Sequence, residues 1–157
     1  MVKYPYTGTV NGCTIAPGAN LIEANLTRAK LWRAELEGAD LRKANLYLAD
    51  LRKAHLLDAN LEGAYLETAT LEGAYLRGAC FDDADLSMAN LKGANLKGAK
   101  LRKADLFASN LSRANLTGAN FFGANLRSAN LYEADLEGVN FRGAEGYEEV
   151  APGLDPI

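Results

Sequence analysis

Residues 89–103 read Ala89-Asn90-Leu91-Lys92-Gly93, Ala94-Asn95-Leu96-Lys97-Gly98, Ala99-Lys100-Leu101-Arg102-Lys103. The same five-residue unit extends in both directions. From Leu21 to Phe141 every fifth residue is Leu or Phe, in 25 of 25 positions. Two residues before each of these stands Ala, in 23 of the 25, with Ser109 and Val139 as the exceptions. The residue between them is Asn twelve times and Asp five times. No insertion or deletion interrupts the run.

The composition taken alone points elsewhere. With 27 Ala and 25 Leu against seven Val plus Ile among 157 residues, propensity favours helix. Five residues on an α-helix, however, turn about 500°, some 140° beyond a full turn. The leucines would spiral around every side and leave no apolar stripe. A plain strand fails too, because its side chains alternate with a period of two and five is odd. What fits is a coil of short straight sides, each presenting one Leu and one Ala inward.

The number of sides can be tested. If four units make a coil, residues twenty apart stack, and Phe81, Phe121 and Phe141 all fall on one side. The position two residues after the central Leu gives a second test. In one class it is Gly five times in six (Gly38, Gly78, Gly98, Gly118, Gly138, with Asp58 the exception), and in another never (Arg28, Leu48, Thr68, Met88, Ala108, Ser128). Since Gly permits the positive φ of a type II turn, one corner is expected to be Gly-turned and the other not.

The unit Ala-Asn/Asp-Leu-x-x resembles the A(D/N)LXX motif of the pentapeptide-repeat family, over 25 consecutive units from Ala19 to Gly143. The resemblance implies an all-β fold: a right-handed quadrilateral parallel β-helix (a β-solenoid) with four pentapeptides per coil and about six to seven coils. It implies that the central Leu/Phe and the Ala two residues earlier lie inside, and that the other three residues face solvent. At roughly 4.8 Å per coil the rod is about 30 Å long. Stacking of neighbouring coils explains how so narrow a core holds.

Three segments are expected. Residues 1–18 form an N-terminal cap in which Gly8-Thr9-Val10 and Cys13-Thr14-Ile15 read as degenerate repeats, offset by an extra residue in Ala16-Pro17-Gly18. Cys13 is then indoors, and Tyr4, Pro5 and Tyr6 cover the open edge. Residues 19–143 are the repeat body, and 144–157, with Pro152 and Pro156, form an irregular C-terminal cap or tail. The tail is too short and too Pro-rich for the C-terminal helix that mediates dimers in some relatives.

Met1-Val2-Lys3-Tyr4-Pro5-Tyr6 has no apolar stretch of the kind a signal peptide needs, and no segment approaches the length of a membrane helix. Two Cys make no disulfide framework. The expectation is a cytoplasmic protein without membrane, nucleic-acid or cofactor partners, as a monomer or weak homodimer; the family is abundant in cyanobacteria.

The outward residues carry the functional reading. The sides centred on Leu21, Leu26, Leu31 and Leu36 sum to +1, −1, +3 and −3, so residues 20–143 are neutral and the termini supply the whole net −3. The family's best-known activity, inhibition of type II topoisomerases by DNA mimicry, needs a continuous negative surface. Here the most acidic side holds Glu35, Glu37 and Asp58 at one end and Asp135 and Glu137 at the other, with Arg77 and Lys97 between. DNA mimicry is therefore the alternative reading.

Lys30, Arg33, Arg52 and Lys53 surround Trp32, with Asp50 among them, a pattern that serves phosphate or RNA binding but more often makes a solvated face. Cross-coil ion pairs are expected for Arg42 with Glu62, Asp82 with Arg102 and Asp83 with Lys103, and Asn90, Asn110 and Asn130 are expected to form a bracing ladder. His55 is the single imidazole, with Asp58 on the same rung as a surface polar pair, and Asp82 and Asp83 disfavour a thiolate at Cys80. No catalytic, cofactor or metal residues are assigned. The candidate interaction patch is the side that presents Tyr47, Leu48, Tyr65, Met88 and Phe107, with Ala108, outward. The expected function is a non-catalytic protein-protein interaction or scaffolding module.

Overall fold

A computed structural model describes residues 8–151. Twenty-two parallel β-bridges, from Asn20↔Asp40 to Asn125↔Glu145, each join residues twenty apart. Apart from Glu145 in the last bridge, the bridging residue is always the one that precedes the central position. Four units therefore complete a coil, as the placement of Phe and Gly requires. Every central residue but the partly buried Leu136, and nearly all of the Ala positions, are buried in one continuous core. Phe121 and Phe141 stack with ring centroids 5.5 Å apart. Ser109, which replaces Ala in this core, buries its hydroxyl without a hydrogen-bond partner.

Each pentad has five backbone N–H groups, and their destinations explain its sequence. In the unit around Leu41, the Asp40 N–H donates down to Ala19, and Leu41 and Lys43 donate up to Asn60 and Glu62, at 2.9, 2.7 and 3.0 Å. The Ala44 N–H closes the β-turn onto the Leu41 carbonyl at 3.0 Å. The fifth, on Arg42, points away from both neighbouring coils. It donates to the Asp40 side chain at 3.3 Å. All seventeen units with Asn or Asp before the central residue make this bond, from Ile22 to Arg142. A short side-chain oxygen two residues back is the geometry of an Asx-turn.

Asn90, Asn110 and Asn130 therefore do not form the expected ladder. Each holds the amide of its own unit, Lys92, Ser112 and Tyr132 respectively, at 3.0–3.1 Å. Where the Asx residue is missing, the bond is replaced or lost. In the Lys100 unit, Asp82 of the preceding coil accepts the Arg102 N–H at 2.9 Å.

The corners also differ from the sequence expectation. From Gly18 to Gly143 the third residue of every turn has positive φ, between 53° and 70°, whether it is Gly or not. The Gly-rich and Gly-free corners thus share a backbone conformation and differ only in the residue that adopts it. Left-handed non-Gly residues cost about 1 kcal/mol each, a strain that the bridges on both flanks hold in place.

Residues 8–15 are not degenerate repeats. They form an antiparallel hairpin, β1 (Gly8–Val10) and β2 (Cys13–Ile15), turned by Asn11 and Gly12 at φ 50° and 80°. Asn-Gly is the preferred two-residue hairpin turn because both positions need positive φ. Ile15 is fully buried and Val10 and Cys13 pack partly against the core, so the hairpin covers the first coil. Ala16-Pro17-Gly18 is in register: Ala16 takes the central position and the Ala19 N–H closes the turn onto it. Tyr4, Pro5 and Tyr6 lie outside the described residues.

At the other end the chain is less irregular than expected. Gly146, at φ 75°, leads into one helical turn, α1 (Tyr147–Val150). A Cβ at Gly146 would lie 2.8 Å from the Arg127 backbone, so only glycine fits there. The Tyr147 ring stacks on Phe141 at 5.9 Å and prolongs the aromatic column past the last coil.

If the Asx bond closes the unit, Asn95→Ala should lower unfolding stability by about 1 kcal/mol, and Thr70→Asn should raise it by about 0.5–1 kcal/mol. Urea titration of both variants checks the pair of opposite signs.

Candidate functional site

On the side centred on Leu26, the straight segment presents Tyr65, and the corners present Tyr47, Leu48, Met88 and Phe107. All five are exposed, Met88 the most at 58%. Their directions follow from the backbone. The amides of Tyr47 and Phe107 are held by Asn45 and Asp105 at 3.0 and 2.9 Å, which turns both rings away from the coil axis. Leu48 and Met88 both sit at φ 57°. All six corners of this side forgo glycine and carry a side chain in the left-handed region.

Polar groups within the patch are satisfied locally. The Ser87 hydroxyl donates to Asp85 at 2.6 Å, and the Thr68 hydroxyl donates to the Glu67 carbonyl at 2.7 Å. The side therefore offers apolar surface with few polar groups that need a partner. Exposed Ile22, Leu57, Tyr75, Phe122 and Tyr132 lie on the other sides and were not part of the sequence reading.

The basic cluster becomes a groove. Glycines 73 and 93 remove two side chains from the corner after Leu71 and Leu91, leaving a depression of about 580 Å³ between Trp32 and Arg113, lined also by Lys53, Glu72 and Lys92. Several of its cations are already engaged. Arg52 chelates Asp50 at 2.8 and 2.7 Å, Arg113 pairs with Glu133 at 2.7 Å, and Arg33 lies over the Trp32 ring at 4.9 Å. The arginines of this side are internally engaged and Lys30, Lys53 and Lys92 are exposed to solvent, the pattern of a solvated face.

Of the three expected cross-coil pairs, Asp82 with Arg102 forms. Arg42 instead chelates Asp40 of its own unit at 2.7–3.1 Å rather than reaching Glu62. Two residues of separation bring Asp40 within reach from the Asx-turn itself, at no cost in extending the side chain. Among the described residues no ion pair joins Asp83 to Lys103. Arg113–Glu133 and Arg127–Glu145, which the sequence reading missed, form at 2.7 and 2.9 Å.

His55 does not face Asp58. Its Nδ1 points toward Glu35 and Glu37 of the preceding coil, at 3.6 and 3.8 Å, and its ring lies 4.7 Å from that of Tyr75. Burial pushes the Cys80 thiol up, and Asp82 and Glu62 add to that, against the Asp82 backbone N–H and Lys100. The thiol is held in its protonated form.

The sequence profile described as Pentapeptide repeats matches residues 19–56, 49–87, 71–106, 89–127 and 109–145. The chain belongs to the pentapeptide-repeat family. It is similar to the solved pentapeptide repeat protein Rfr23 from the cyanobacterium Cyanothece 51142, at 38% identity over 60% of this chain and 62% of that one, with a TM-score of 0.42. It also resembles HetL from the cyanobacterium Nostoc sp. strain PCC 7120, a protein involved in heterocyst differentiation regulation, at 30% identity over 82% and 81% of the two chains, TM-score 0.39. Full-length QnrB1, a plasmid-mediated fluoroquinolone resistance protein, matches at 20% identity over 70% and 66%, TM-score 0.50, a likeness of fold. The chain spans less than two thirds of the Rfr23 structure. No curated protein matches it.

Burial acts to raise the Asp82 carboxyl, but the Arg102 guanidinium and backbone N–H and the Cys80 thiol outweigh it and hold it below the usual carboxylate range. A depressed folded pKa contributes stability above the unfolded value, near pH 4, and loses it as pH falls through the folded value. Wild-type stability should therefore fall in that acid window, and Asp82→Asn should flatten part of the fall. Unfolding midpoints in urea between pH 2 and 7 check the slope.

Proposed function

We propose that the chain is a non-catalytic interaction or scaffolding module that binds a protein partner through Tyr47, Leu48, Tyr65, Met88 and Phe107. The observation that carries this reading is the gathering of five exposed apolar side chains on one side of a rod whose interior is already filled by Leu and Ala. Interfaces concentrate aromatic residues and Met where charge is sparse. The supporting frame is read as a right-handed coil, the hand that parallel crossovers favour, with six to seven coils in residues 19–143 between an N-terminal and a C-terminal cap. The protein is read as cytoplasmic, a monomer or weak homodimer in the absence of its partner. Among the described residues no helix is long and apolar enough to cross a membrane.

The DNA-mimic alternative finds less support. Glu35 and Glu37 are turned toward His55. Arg77 and Lys97 interrupt the same side, and the repeat body carries no net charge. A basic DNA-binding groove would meet cations where phosphates should stand.

The test is the triple variant Tyr47→Ser, Leu48→Ser, Phe107→Ser. Loss of partner capture or of self-association by sedimentation velocity is expected; mass in solution and capture both unchanged would sink the proposal. Supercoiling by a type II topoisomerase should be unaffected by micromolar protein, and inhibition would favour the mimic.

A further inference from the structure

We infer that Glu35, Glu37 and His55 form a binding site for one divalent transition-metal cation of the zinc class. Residues 35 and 37 flank the buried Leu36, so both carboxylates stand on the outer surface, Glu35 on the straight segment and Glu37 at the corner that follows it. His55 occupies the position of Glu35 one coil further on, joined to it by a parallel bridge. The coil geometry thus stacks an imidazole over a Glu-x-Glu pair, a juxtaposition that spacing along the chain conceals.

The donor atoms of the three side chains lie within 4.8 Å of one another. The His55 Nδ1 separations, 3.6 Å to Glu35 and 3.8 Å to Glu37, are too long for hydrogen bonds. They approach the edge of a coordination polyhedron instead. With Zn–N and Zn–O near 2.1 Å, ligands at the tetrahedral angle sit about 3.4 Å apart. The two edges to His55 therefore close onto an ion with a few tenths of an ångström, and the edge between the carboxylates, no longer than 4.8 Å, closes by rotation of the Glu37 side chain.

The site is partly organised in advance. The Tyr75 ring, 4.7 Å from the imidazole and one coil further along, limits its swing away from the carboxylates. The Glu35 side chain is only 15% exposed, so its carboxylate gives up less hydration on binding than a free surface group. His55 and Glu37, at 39% and 47%, leave an open approach and room for water in the remaining positions. One imidazole with two carboxylates suits zinc, nickel or ferrous iron better than calcium or magnesium, which favour all-oxygen sets. Among the described residues no other three His, Cys, Asp or Glu side chains converge in this way. The site lies on the Leu36 side, two sides round from the apolar patch, so it stands or falls apart from the proposed partner interface.

The full chain, stripped with a chelator, would be titrated with Zn²⁺ alone by calorimetry and with Co²⁺ by its visible absorption. One saturating ion per chain is expected. His55→Ala and Glu35→Gln should each weaken binding at least tenfold with unchanged circular dichroism, while Asp58→Asn, a neighbouring carboxylate outside the trio, should bind as the wild type does. Absence of saturable binding, or equal binding by His55→Ala, which would locate the ion elsewhere, would overturn the assignment.

Discussion

One hydrogen bond satisfies the amide that the coil's own backbone leaves over: the N–H two residues after Asn or Asp donates to that residue's side chain. Four of the five amides in a pentad find backbone carbonyls, in the coil below, the coil above or the turn. The fifth faces outward at the corner and no carbonyl reaches it. Backbone donors left without a partner are costly wherever water is restricted. A side-chain oxygen fixed in place by the preceding bridge supplies the acceptor in seventeen units. The straight segments are too short to be strands in their own right; each contributes a single bridge. Their regularity comes from repeating a closed unit, and the Leu and Ala core then follows from the two positions that face the axis.

The period of five, the inward Leu and Ala and the twenty-residue stack were legible because each is a property of the backbone repeat. Less was legible where a side chain had to choose between partners. Arg42 reaches Asp40 in its own unit as easily as Glu62 in the next, and spacing alone does not rank the two. The Asn residues looked like a ladder because they stack, yet each oxygen is turned toward its own corner. The hairpin at Asn11-Gly12 carried a recognisable turn signal that was subordinated to the repeat. The uniform left-handed corners were hidden because Gly marks positions where the conformation is easy, whereas the coil imposes it at Lys, Arg and Leu as well.

Function on such a frame is confined to the outward positions, where sequence can vary without disturbing the unit. The apolar patch was readable from the sequence because side and exposure follow from the repeat. The Glu35–Glu37–His55 trio was not, since its members belong to two coils and their approach depends on side-chain direction. Two members of the trio and one of the patch occupy the position of the Asx residue: Glu35, His55 and Tyr65 replace Asn or Asp. Those units gave up the closing bond to place another chemistry on the surface, and their neighbours on both flanks hold the backbone in position.

Amide hydrogen exchange measured residue by residue tests the closing bond most directly. The amides of Tyr47, Lys97, Phe107 and Phe122, each held by an Asx oxygen, should exchange more slowly than those of Glu37, Leu57, Glu67, Glu72 and Arg77, whose units have neither Asn nor Asp before the central residue. Equal protection in the two groups, after correction for intrinsic rates, would contradict the account.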